Sequence, residues 1–139
     1  MTDLQIPPVD IAVVLPLLIV AGWASVLLLI DLAVAQKRIT AYLAIAGLVV
    51  AALAGIPQWG AARATFGGML VLDNYALILN WIFLLIGVLS ILIAVDYLPR
   101  HGIERGEFYP LMMFATTGMM LLVQGGDLIV LFLGLEMLS

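Results

Sequence analysis

Apolar residues run through this chain in long unbroken blocks, not at the spacing of a half-buried helix or strand, and the blocks stop where charges or Gly and Pro gather. A membrane-crossing helix takes about 20 mostly apolar residues. Cutting at those marks predicts four complete spans, at 11–30, 39–56, 76–95 and 108–124, with a fifth opening at Asp127 and incomplete at 139. Asp31 closes the first, Pro57 the second, and Asp96 with Pro99 the third. The first block is longer than the core of a signal peptide, and Asp3 and Asp10 stand where a basic leader would be, so this span is expected to persist. The loop over 57–74 holds Gly60, Gly67 and Gly68 and a short apolar run at 69–72, which predicts a small hairpin. With no repeat, low-complexity tract or linker, the expected fold is all-α and integral to the membrane, one embedded region over 1–139. From Asp127 to the end a helix rises only about 18 Å, against a hydrocarbon core of about 30 Å. A terminus there would leave a carboxylate and unpaired carbonyls in lipid, so the chain is expected to be the N-terminal portion of a longer protein.

Composition removes whole classes of function. With 65% hydrophobic and 10% charged residues and a mean hydropathy of +1.26, the chain carries more apolar surface than a soluble domain of its size can hide. A soluble enzyme is excluded. Nine acids and five bases make no footprint for nucleic acid. With no cysteine and one histidine, disulfides, thiolate metal sites and cysteine-ligated clusters are absent too.

The few bases set the expected topology, because short loops rich in Lys and Arg stay on the cytoplasmic side. Lys37 and Arg38 follow span one and Arg100 and Arg105 follow span three, which puts four of the five bases on one side. Only Arg63 lies opposite. The N-terminus is therefore expected outside, on the periplasmic face of the cell (inner) membrane. Tyr42, Tyr97 and Tyr109 are expected in the inner headgroup layer, and Trp59, Tyr75 and Trp81 toward the outer one. Trp23 falls mid-span, where it is expected to pack between helices.

Most acids sit at span ends, where Asp31 and Asp96 are expected to be solvated or interfacial beside their basic neighbours. Asp127, after Gly125 and Gly126, is the expected N-cap of helix five. Glu136 differs, because nine residues of helix carry it about 13.5 Å beyond Asp127, to the bilayer midplane. A carboxylate there costs about 2.5–3.5 kcal/mol and belongs either to an ion or proton pathway or to a structural pair. Either role needs a partner, and no Lys or Arg lies within the first four spans. Thr116 and Thr117 come level with it once the chain has turned, so their hydroxyls can face the carboxylate or bond back to their own helix. Gly118 and Gly134 would let the two backbones approach. Asn80 and Ser90 are expected to bond between helices. His101 and Glu104 supply two potential metal ligands, too few for a site. Met112, Met113, Met119 and Met120 are read as adaptable packing.

The stretch GEFYPLMMFATTGMMLLVQGGDLIVLFLGLEMLS from Gly106 resembles subunit N of the proton-pumping NADH:quinone oxidoreductase, respiratory complex I. DNYALILNWIFLLIGVLSILIAVDYLPRHGIERGEFY from Asp73 is similar to that family's third span and inner loop, and LFLGLEMLS is the most specific part. The resemblance implies a larger antiporter-like bundle of inverted repeats, of which this chain holds the first helix and a half of the first repeat. It implies that Glu136 is the helix-five acid, whose partner lysine lies beyond residue 139, with other membrane-arm subunits, the lipid bilayer and protons as partners. NADH, FMN, iron–sulfur clusters and quinone belong to the implied parent complex, and no cofactor is expected in this chain. Two alternatives share the same residues: a subunit of a multisubunit cation/proton antiporter, and a structural membrane subunit in which Glu136 only pins an interface.

Overall fold

The structure is a computed structural model that describes residues 8–139. Asp3 and the tail around it lie outside the described residues. Five helices follow in order, α1 at Ile11–Ala33, α2 at Lys37–Gly55, α3 at Asn74–Arg100, α4 at Phe108–Gln124 and α5 at Leu128–Leu138. Three helical stretches, Ile11–Ala33, Lys37–Gln58 and Asn74–Arg100, are long and apolar enough to cross a membrane, and the other two are shorter. The fourth expected span, α4, has 17 residues. Its rise of about 25 Å falls short of the hydrocarbon thickness of about 30 Å.

Two boundaries correct the sequence reading. Helix α1 runs past Asp31 to Ala33, and α3 runs through Asp96 and Pro99 to Arg100. A single charge does not end a helix when the side chain finds a partner. Asp96 holds Arg100 one turn ahead at 2.6 Å, and Pro99 sits in the last turn, where the chain is about to leave the helix anyway. Gly102, at φ +65, then stops α3. The amides of Gly102 and Ile103 donate back to the Pro99 and Leu98 carbonyls at 3.1 Å each, a left-handed cap that favours glycine at that position.

Helices α1 to α4 close into a bundle in which α1 packs on α2 and α4, and α3 packs on α2 and α4; α5 lies outside, against α4. Leu27, Leu48, Ile91, Met113 and Met120 are fully buried at its centre. The outward faces keep Leu29, Leu53, Leu85, Ile93 and Phe132 exposed, which suits a lipid solvent. Trp23 packs between helices as expected, its indole N–H donating to the Leu43 carbonyl at 2.8 Å while its ring lies over Gly47. Tyr42, Tyr97, Trp59 and Tyr75 are exposed, and Trp81 stacks on Trp59 with centroids 5.7 Å apart. Tyr109 corrects the expectation, because it is fully buried in the bundle core. It occupies the inward face of α4 together with Met113, Thr116 and Met120, and that helix's turn count, not its nearness to the membrane edge, fixes its direction.

The loop over 57–74 forms the expected hairpin, β1 at Arg63–Thr65 pairing antiparallel with β2 at Leu70–Leu72. It works as a clasp at one end of the bundle. Thr65 Oγ1 accepts from the Asp10 amide at 2.9 Å at the start of α1, and Arg63 lies 3.6 Å from the Asp10 carboxylate. On its other side, the Gly126 amide donates to the Met69 carbonyl at 2.8 Å, just before α5 begins.

Candidate functional site

Helix α5 starts where the chain allows it to. The Asp127 carboxylate accepts from the Ile129 amide at 2.9 Å, the N-cap expected of it. From that fixed start the helix descends against α4 more closely than ordinary side chains permit. A Cβ on Gly118 would lie 2.7 Å from the Gly134 carbonyl oxygen and 2.8 Å from the Leu138 amide nitrogen. A Cβ on Gly134 would lie 3.0 Å from the Gly118 carbonyl oxygen. The two glycines thus bring backbone against backbone, and Glu136, between Gly134 and Leu138, sits level with Gly118.

Glu136 turns away from the bundle. It is exposed, and among the described residues its carboxylate has no ion-pair or hydrogen-bond partner. Thr116 and Thr117 are fully buried in the neighbouring layer. Their hydroxyls donate to the Met112 and Met113 carbonyls at 2.9 and 3.0 Å, so each bonds back to its own helix and neither is joined to Glu136. Thr116 instead faces α3, where a Cβ on Gly87 would lie 3.1 Å from its Oγ1.

At the opposite end from the hairpin the structure assembles a charge cluster that reading the sequence missed. Asp31 is only 6% exposed, a correction to its expected solvation. Its Oδ1 accepts from Lys37 Nζ at 3.1 Å and from Thr40 Oγ1 at 3.1 Å. The same ammonium donates to the Asp31 and Val34 carbonyls at 3.1 and 3.3 Å, which satisfies the exposed end of α1. The backbone of Gly106 packs directly on the carboxylate, and any side chain at that position would collide with it. The signal was present in the spacing: an acid in the last turn of one helix and a lysine opening the next, six residues on. Elsewhere His101 is engaged locally, its Nδ1 2.9 Å from the Tyr97 carbonyl and its ring stacked on Tyr97 at 4.0 Å.

One buried amide departs from expectation, and a second accompanies it. Asn80 is 2% exposed and Gln124 is 1% exposed. Neither has a side-chain hydrogen-bond partner among the described residues, so Asn80 makes no interhelical bond. Left unsatisfied, each polar group would cost about 1–3 kcal/mol. Asn80 shares its buried helix face with Leu77, Leu84 and Ile91, a spacing of three, four and seven that could have located it in the core.

No protein-family model matches the chain. Curated relatives do. NADH-quinone oxidoreductase subunit N of Chloroflexus aggregans is 61% identical over the whole chain, which covers 29% of that protein. NADH-quinone oxidoreductase subunit N 2 of Roseiflexus castenholzii is 57% identical over the whole chain and 28% of its own length. NADH-quinone oxidoreductase subunit N 1 of Herpetosiphon aurantiacus is 43% identical over 84% of the chain and 24% of its own length. The chain thus spans less than a third of the length of these relatives.

Proposed function

The chain belongs to the family of NADH-quinone oxidoreductase subunit N, and from that membership we propose that it forms part of a proton-translocating membrane subunit of respiratory complex I, with Glu136 as a proton-loading group. The observation that carries this reading is the state of Glu136. It is a carboxylic acid about 13.5 Å along α5 from its cap, on an apolar helix, facing outward with no partner among the described residues. Such a group in hydrocarbon is costly unless a base meets it. A lysine brought close favours the ionised carboxylate and its withdrawal favours the protonated one, so a partner that moves would make Glu136 release and reload a proton. That base belongs to the remainder of the subunit or to a neighbour. Other membrane-arm subunits and the lipids of the cell membrane are the surroundings this role requires.

Electron transfer is assigned to other subunits of the complex. A chain without cysteine offers no thiolate to an iron–sulfur cluster, and nothing in its sequence forms a nucleotide-binding loop for NADH or FMN. The antiporter reading uses the same acid without quinone, and the relatives' names favour the oxidoreductase over it. The test is Glu136→Gln in the full-length protein within its complex. Size and hydrogen bonding are kept and the charge is lost, so assembly is expected to stay normal while proton pumping and coupled quinone reduction lose most of their rate. A variant that assembles and pumps at the wild-type rate would make Glu136 a structural residue.

A further inference from the structure

We propose that Asn80 and Gln124 together bind a small internal water cluster at the hairpin end of the α1–α4 bundle. The placement follows from the helix register. Gly87 of α3 meets Thr116 of α4, and the two helices pack as antiparallel neighbours. Seven residues back along α3 is Asn80, and eight residues on along α4 is Gln124. Both steps are about two turns and both residues stay on the buried side of their helices, so the two amides lie at one level inside the bundle. Their neighbours agree, since Leu77 and Trp81 of α3 pack in one apolar cluster with Leu121 and Val123 of α4.

The chemistry then requires a third party. Each primary amide carries two donor hydrogens and an acceptor oxygen, and all four side-chain nitrogen and oxygen atoms are buried without a protein partner among the described residues. Even a reciprocal amide pair would satisfy one donor and the acceptor on each side and leave a second N–H on each unmet. The carbonyls of the last turn of α4 add acceptors that the helix itself cannot fill. Water has the mixed donor–acceptor character to close such a set, and buried waters make about three hydrogen bonds to groups of this kind. The binding draws on no property of Glu136.

Met120, fully buried one turn before Gln124, is the built-in reporter. Radiolytic hydroxyl-radical labelling of the full-length protein in membranes generates radicals from bound water and marks side chains beside it. Corrected for intrinsic reactivity, Met120 is expected to be oxidised at least about fivefold more than the equally buried Leu48 and Ile91. In the double variant Asn80→Leu, Gln124→Leu that excess is expected to vanish. Protection of Met120 to the level of Leu48 and Ile91 in the wild-type protein would overturn the proposal whether or not the variant folds. So would oxidation of Met120 that persists unchanged in a folded double variant.

Discussion

Asp31 and Glu136 are both carboxylic acids on apolar helices, and their surroundings are opposite. Asp31 is enclosed with two donors on one oxygen, Lys37 Nζ and Thr40 Oγ1, whereas Glu136 is presented outward without a donor among the described residues. A pair that is satisfied in place holds structure; an acid that is not satisfied in place is free to change partners. Asp31→Asn keeps the shape and removes the charge, leaving the Lys37 ammonium without its counter-ion. It is expected to destabilise the folded protein by about 1.5–3 kcal/mol, the range for hydrogen bonds to charged groups, read as a lower SDS concentration for half-unfolding. Lys37→Ala should lower stability comparably, and the double variant should lose less than the sum, because each single change already removes the shared interaction.

At the scale of elements, the α4–α5 contact is the tightest approach of one helix backbone to another that the glycines report. Gly118→Ala would put a methyl 2.7 Å from a backbone oxygen that no rotamer change can move. We expect it to cost about 1–3 kcal/mol and to push α5 outward. Gly22 is the matched control, in mid-helix with nothing within 4 Å of its added Cβ. Gly22→Ala is expected to be neutral or to stabilise α1 by about 0.5–1 kcal/mol. Thermal aggregation of the detergent-purified full-length protein should rank Gly118→Ala well below the wild type and Gly22→Ala at or above it. Because the hairpin and the Asp127 cap fix where α5 begins, the displacement would be felt at Glu136, so Gly118→Ala should also reduce pumping while leaving the acid in place.

For the whole molecule, the charges at the two ends of the bundle carry the expected topology. Lys37, Arg38, Arg100 and Arg105 gather at one end, while Arg63 is on the hairpin at the other, 3.6 Å from Asp10. By the preference of basic loops for the cytoplasmic side, the α2 and α4 starts are expected to face the cytoplasm. A single cysteine placed at Gln36 is expected to react with a membrane-impermeant maleimide only after the cytoplasmic side is opened, and one at Gly60 from the opposite side. Labelling in the reverse pattern would invert the topology and with it the direction of the proton uptake proposed for Glu136.

Long apolar blocks and their punctuation determined the helices, because a chain with so few charges can satisfy its backbone in lipid only by coiling each block into a helix. The hairpin, the Asp127 cap, the placement of Trp23 and the kinship carried by the stretch from Gly106 were legible for similar reasons, each resting on neighbours close in sequence. Helix ends at Asp31 and Asp96 were not, since a charge ends a helix only if no partner awaits it: Asp96 finds Arg100 one turn ahead on its own helix, and Asp31 finds Lys37 and Thr40 once α2 has folded back on α1. Hydropathy likewise placed Tyr109, Asn80 and Gln124 by depth alone, blind to which face of the helix each occupies. Tertiary packing decided that these three point into the bundle while Glu136 points out of it. The reason is rotational: a helix advances 100° with each residue, so a side chain's depth follows from counting, but its direction is set only by the helices packed beside it.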